Sequence, residues 1–261
     1  MPIDRIVGII FAALLGGVLG SFANVLIIRW HEDVSIGGRS ACPQCKTTLK
    51  PRHMIPVLSW FMLGGRCASC RKKIHFQYPL VEATAALLGI VAALRHDPFS
   101  DWVFWFEFIV SVGLLVPVVM DIRWQELPVE YLAGLGVFSL VFRIWLIPGG
   151  LSAWLMLLLA AGGATAFFGL QWLLSRGRWL GSGDIWFGAL MGCVLGWPGV
   201  ALGIYAAYVL GGLIAALGLL TGILKRGSRL PFAPALAAGT LIALWFGPQI
   251  LAFFRLGYAN I

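Results

Sequence analysis

Two acidic residues stand where a carboxylate is costly unless it is used. Asp121 follows the apolar run GLLVPVVM, and Asp184 ends the tetrapeptide Gly181-Ser182-Gly183-Asp184 and opens the run IWFGALMG. Carboxylates at the margin of a membrane helix mark function by default. Two of them on different helices at one depth can meet, and such a pair suits amide hydrolysis. The ionised partner takes a proton from water while the protonated one polarises the scissile carbonyl, and like charges at short range make the two share one proton. Gly181 and Gly183 lack Cβ atoms and let the backbone pass close to a substrate strand. Asp184 taken singly also reads as an ordinary helix-start residue. Because Asp184 opens a helix and Asp121 closes one, the helix dipoles favour placing the shared proton on Asp121.

The second constellation is Cys42, Cys45, Cys67 and Cys70, spaced C-x2-C-x21-C-x2-C. Two CxxC turns can close a tetrahedral thiolate shell around Zn²⁺. With all four ligands supplied by cysteine, the site reads as closed and structural. Two disulfides or a redox pair are the alternative, disfavoured in a reducing compartment. Lys46, Arg66, Arg71 and Lys72 lie beside the ligands and offset the negative charge of a zinc ion held by four thiolates. Cys193 sits alone in an apolar run and reads as a packing residue.

Membrane helices must position both constellations. Of 261 residues, 60% are hydrophobic and 11% charged, with 12 Trp. Too few charged side chains exist to cover a soluble fold of this size, and the composition excludes disorder. The net charge of +8 reads as a topology signal rather than a nucleic-acid surface. The expected fold is an all-α polytopic membrane protein of about eight transmembrane helices. Its apolar runs are 6–28, 79–94, 102–120, 131–147, 152–174, 185–198, 201–223 and 232–254. The N-terminal run is too long for a signal peptide, and Gly16, Gly17, Gly20 and Ser21 give it a small-residue packing face. Pro117 is expected to kink its helix near Gly113. The expected domains are a first transmembrane helix (1–28), a cytoplasmic zinc-binding segment (29–78) and a membrane-embedded peptidase core (79–261). Residues 29–78 carry nine of the Lys and Arg. The links near 121–130, 175–184 and 224–231 carry one, two and three more, and only Arg5, Arg95, Arg143 and Arg255 fall elsewhere. The positive-inside rule then puts the cysteines and both aspartates on the cytoplasmic side.

At this point the residues resemble a known family, the prepilin leader peptidases, membrane aspartic proteases of the GxGD type. The ordered set covers most of the chain: Gly20-Ser21-Phe22-Ala23-Asn24-Val25, the two CxxC pairs, Ile55-Pro56-Val57-Leu58-Ser59-Trp60, Gly65-Arg66-Cys67, and Tyr78-Pro79-Leu80-Val81-Glu82. Asp121 with Leu127-Pro128, the GSGD at 181–184, and Pro231-Phe232-Ala233-Pro234 complete it. The resemblance implies cleavage of a short basic leader from type IV prepilins or type II secretion pseudopilins, whose apolar N-terminal helix lies in the bilayer. The implied place is the cytoplasmic face of a bacterial inner membrane. It further implies methylation of the new N-terminal amine with S-adenosylmethionine, Asp121 and Asp184 as the catalytic pair, and the four cysteines as zinc ligands. No nucleic-acid partner is implied. Trp186 stands where the family often has Lys, Val129 where it often has Asp, Met54 for Asn and Gln77 for Arg.

Glu82 reads either as a partner of a substrate amine or of Arg71–Lys73, or as a satisfied structural acid. Asn24 and Ser21 read first as interhelical hydrogen bonders, with substrate or cofactor contact the alternative. Glu107, in the outer half of its helix, reads as structural. No GxGxxG follows a strand, so no nucleotide cradle is legible. A catalytically inactive, zinc-stapled scaffold of a pilus or secretion assembly is the competing reading, and a transporter with intramembrane carboxylates a third.

Overall fold

The computed structural model describes residues 3–146, 150–225, 227–228 and 230–254. Arg226, Arg229 and Arg255, counted in the charge balance above, lie outside the described residues, as does the end of the run 131–147. Among the described residues there are helices and no named strands. Seven apolar stretches of helix are long enough to cross a membrane. The chain is a polytopic all-α membrane protein carrying a tetracysteine segment after its first helix. It divides into two compact units, Met1–Val116 and Pro117–Ile261.

In the first unit, α1 (Ile3–His31) lies against α3 (Gln77–Arg95), and α4 (Trp102–Gly113) packs on α3. Glycines set how closely α1 and α3 approach. A Cβ on Gly16 would lie 2.4 Å from the Ala85 carbonyl oxygen, and one on Gly89 would lie 2.3 Å from that of Ala12. Such contact replaces the hydrophobic driving force that lipid removes. Between α1 and α3 runs the cysteine segment, with one short helix, α2 (Leu58–Met62). Beyond the other end of α3, Glu107 is buried and accepts from Arg95 Nε at 3.0 Å, while His96 Nδ1 lies 2.7 Å from Asp101. Glu107 is therefore the structural acid expected of it.

The helix break expected from Pro117 is present. α4 ends at Gly113 and α5 (Leu115–Trp124) begins after Leu114, the two forming one apolar stretch from Trp102 to Trp124.

The second unit continues with α6 (Val129–Leu146), α7 (Gly150–Ser175), α8 (Ser182–Leu195), α9 (Gly199–Leu220) and α10 (Ala233–Phe253). Helix α8 packs against α6, α7, α9 and α10. Phe187, Leu190, Met191 and Val194 fill its core face. Eight apolar runs were expected to span; the structure has seven of spanning length, and α8 is the short eighth at 14 residues. Its length of about 21 Å falls short of a hydrocarbon core of about 30 Å. Lined by protein rather than lipid, it need not match that thickness.

Candidate active site and metal centre

Asp121 sits in α5 and Asp184 in the first turn of α8, and both are buried. Three contacts within the second unit bring their surroundings together. Asp121 Oδ2 accepts from the Ala233 N–H at 2.8 Å, at the start of α10. Leu127, in the link after Asp121, presses on the residue before Asp184: a Cβ on Gly183 would lie 2.6 Å from Leu127 Cβ. Tyr208 of α9 sets its ring 5.3 Å from Phe232, next to Ala233. Asp121 and Asp184 interact electrostatically. The structure thus gathers both aspartates and Gly183 at one place.

Both carboxylates use helix N-termini. Asp184 Oδ2 accepts from the Gly181 N–H at 2.9 Å, half of a capping box whose other half a glycine cannot supply. Asp121 does the same at α10, across 112 residues of sequence. The carboxyl group of Asp121, although late in α5 as expected, also faces the positive end of α10, which offsets part of the asymmetry expected from α5 alone. The segment Pro231-Phe232-Ala233-Pro234, part of the family resemblance, has its task here as the start of α10. The proline inside the first turn was the available signal of a helix start.

Tyr208 was also missed. Its hydroxyl donates to Gln171 at 2.8 Å and its ring stacks on Phe168.

In the first unit the four cysteine sulfurs lie within 4.8 Å of one another. The Cys42 and Cys70 Sγ atoms are 3.9 Å apart, close to the ~3.8 Å edge of a tetrahedron with zinc–sulfur bonds of ~2.3 Å. The cluster has the donor set and size for one tetrahedral metal ion. Each CxxC turn is built alike. Cys42 N–H donates to Thr47 and Cys67 N–H to Lys72, and the bridges Ala41–Thr48 and Arg66–Lys73 close the two loops. Lys46 and Arg71 take the same left-handed conformation, at φ 56° and 59°. The whole pattern repeats at a shift of 25 residues, from Ser40–Leu49 to Gly65–Ile74. No internal repeat was read from the sequence. Hydrogen bonds from Thr47 bring the pKa of Cys45 down to about 6. Against the Lys72 N–H, burial and the neighbouring thiols push that of Cys70 up to about 11.

Asn24 and Glu82 lie with the first unit. Asn24 donates to Gly20 and Tyr78 carbonyls and accepts from Gln77 Nε2 at 3.1 Å, so it joins α1 to α3. Glu82 accepts the Val57 N–H at 2.6 Å.

Residues 14–96 match the bacterial peptidase A24 N-terminal domain, and residues 108–216 match the type IV leader peptidase family. A prepilin leader peptidase/N-methyltransferase of Bacillus subtilis is 34% identical over 243 residues, covering 92% of this chain and 95% of the relative. The chain belongs to the type IV leader peptidase family. A second member, a type 4 prepilin-like proteins leader peptide-processing enzyme of Escherichia coli, is 31% identical, covering 90% of this chain and 93% of its own. A third, a prepilin leader peptidase/N-methyltransferase of Pseudomonas aeruginosa, is 32% identical, covering 91% and 90%. No solved structure matches. The family match and the named relatives do not favour the inactive-scaffold reading.

Proposed function

We propose that this protein is a membrane aspartic endopeptidase that removes the leader of type IV prepilins or type II secretion pseudopilins. The observation that carries the reading is a pair of buried, electrostatically interacting carboxyls, Asp121 held by the Ala233 N–H and Asp184 held by the Gly181 N–H. One carboxylate takes a proton from water while the other, protonated, polarises the scissile carbonyl. The water oxygen adds to the carbonyl carbon, the C–N bond breaks, and a proton passes to the departing amine. Gly183 has no side chain, which leaves the Leu127 link free to lie against the start of α8. Gly181 positions Asp184. The site lies at the cytoplasmic face of a bacterial inner membrane, a reading supported by the Lys and Arg of the links and of the basic cysteine segment.

The cysteine segment 29–78 is a zinc-binding insert between the first helix and the peptidase core 79–261. Cys42, Cys45, Cys67 and Cys70 hold Zn²⁺, and a closed thiolate shell supplies structure rather than a reactive metal. Asn24 and Glu82 support the insert by tying it and α1 to α3. N-methylation of the new N-terminus with S-adenosylmethionine is supported by the names of the relatives in Bacillus and Pseudomonas. Among the described residues no strand–loop–helix cradle for that nucleoside exists.

The test is incubation of purified protein with a full-length prepilin in detergent, read by mass spectrometry. The wild type is expected to remove the leader, and Asp121→Asn and Asp184→Asn each to lower the rate by about 10² to 10⁴-fold. Leader removal at the wild-type rate by either variant would overturn the dyad. Adding S-adenosylmethionine is expected to add the mass of one methyl group to the cut product only.

A further inference from the structure

Residues 53–65, HMIPVLSWFMLGG, contain no Lys, Arg, Asp or Glu. Lys50 and Arg52 precede them, and Arg66, Arg71, Lys72 and Lys73 follow. An apolar stretch of this length is too short to span a bilayer and fits a re-entrant or interfacial segment. The structure gives its depth. Pro56 packs on the middle of α1, 3.2 Å from where a Cβ on Gly17 would lie. Helix α3 begins level with Asn24, which bonds to Gln77 and to the Tyr78 carbonyl. Gly17 is seven residues further along α1, about 10 Å at about 1.5 Å per residue. With 19 residues, α3 is just long enough to cross the hydrocarbon. The turn at Pro56 therefore lies about 10 Å inside the level at which the bilayer begins on the side of the cysteines.

The side chains agree with that depth. Leu58 is 61% exposed, Phe61 63% and Met62 79%. Trp60 locks α2 from behind, its Nε1 donating to the Ile74 carbonyl and its ring edge-on to Phe76. The backbone agrees as well. Hydrocarbon offers no partner to an N–H, and here Ser59 N–H donates to Ile55 and Leu63 N–H to Ser59. Val57, at φ 64°, turns its N–H onto Glu82. A buried acid inside a membrane helix calls for a task, and satisfying this N–H is one.

We propose that Ile55–Met62 is a re-entrant anchor of the cysteine segment. Leu58, Phe61 and Met62 sit among the acyl chains of the adjacent leaflet, the flanking Lys and Arg lie at the phosphate headgroups, and Glu82 is the positioning residue that tethers the turn. Basic flanks around an apolar face are the pattern of interfacial segments. The inference rests on the chain spanning a membrane, not on its proteolytic activity.

The experiment is nitroxide accessibility in phosphatidylcholine–phosphatidylglycerol liposomes. The full-length zinc-loaded protein carries Cys193→Ala, with single labels at Phe61→Cys or Met62→Cys. Leu14→Cys, on the exposed face of α1, and Lys46→Cys serve as lipid and water references, and zinc content reports an intact cysteine segment. The labels at 61 and 62 are expected to meet oxygen far more than a water-soluble nickel complex, as at position 14. Nickel accessibility like that at position 46 would overturn the proposal. Shielding from both reagents would overturn it too, by showing a protein surface in place of lipid. Glu82→Leu is expected to shift the Met62 label toward water and Glu82→Gln, which keeps a carbonyl acceptor, to hold it in lipid. Equal depth in both variants would remove Glu82 from the proposal.

Discussion

Gly183 and Leu127 set the tightest constraint beside the acid pair. A methyl group on Gly183 would meet Leu127 Cβ at 2.6 Å and Cδ1 at 2.8 Å, so either the link after Asp121 or the start of α8 must move. Displacements of this order at a reacting centre cost about 10²-fold in rate. Gly183→Ala is therefore expected to lose about that much kcat/KM on a prepilin, and Gly183→Ala with Leu127→Ala to recover most of it. Failure of the double variant to recover would assign the loss to substrate contact instead. A separate residue, His96, makes the first unit sensitive to pH. Its Nε2 lies 3.3 Å from Glu107 Oε1, an ion-pair contact without hydrogen-bond geometry, and its Nδ1 meets Asp101 at 2.7 Å. Glu107 chiefly, with Asp101, raises its pKa above the ordinary 6.5 against the opposing effect of burial. The bonus in stability is full below pH about 6.5 and fades as pH rises through the raised folded value. The melting temperature in detergent is expected to fall from pH 6 to pH 8.5 by more in the wild type than in His96→Gln. Equal slopes would show that the histidine carries no such bonus.

At the scale of elements, what was legible in the sequence follows from the kind of signal each element leaves. Apolar runs gave the helices, and Pro117 gave the break between α4 and α5, because a missing N–H acts locally. The acid pair was legible because carboxylates are rare in apolar surroundings. The hold on Asp121 was not, since its partner is a backbone N–H 112 residues away, and backbone groups leave no mark in a sequence. The repeat in the cysteine segment escaped for a similar reason. Thr47 and Lys72 occupy equivalent places through their carbonyls, and their side chains share nothing. That construction predicts how the segment fails. Each loop is closed by a few backbone hydrogen bonds and one bridge, so a metal held by the four cysteines is expected to supply most of its folding free energy. Chelation is expected to open residues 39–73, which hold eight of the Lys and Arg, to trypsin while α3 to α10 stay protected. Resistance of the metal-free segment at the zinc-loaded rate would show that its core suffices alone.

At the scale of the whole molecule, the four cations off the cysteine side test the orientation drawn from charge. Three of them have structural tasks. Arg5 donates to the Leu94 carbonyl at 2.7 Å, near the end of α3. Arg95 pairs with Glu107. Arg143 is buried and donates to the Val194 carbonyl at 3.1 Å, near the end of α8. A cation at a helix C-terminus satisfies carbonyls that the helix leaves over. Arg95 and Arg143 are held away from solvent by these bonds, whereas Lys46, Lys50 and Arg52 of the cysteine segment are exposed. Positive charge is what retains a loop in the cytoplasm, so the orientation drawn from charge predicts where a reporter will be active. An alkaline phosphatase joined after Ser100 is expected to be active in the periplasm. One joined after Arg178 is expected to be inactive, with a green fluorescent reporter giving the reverse at both places. The opposite result would move the acid pair to the outer face, away from the side on which a newly made prepilin presents its basic leader.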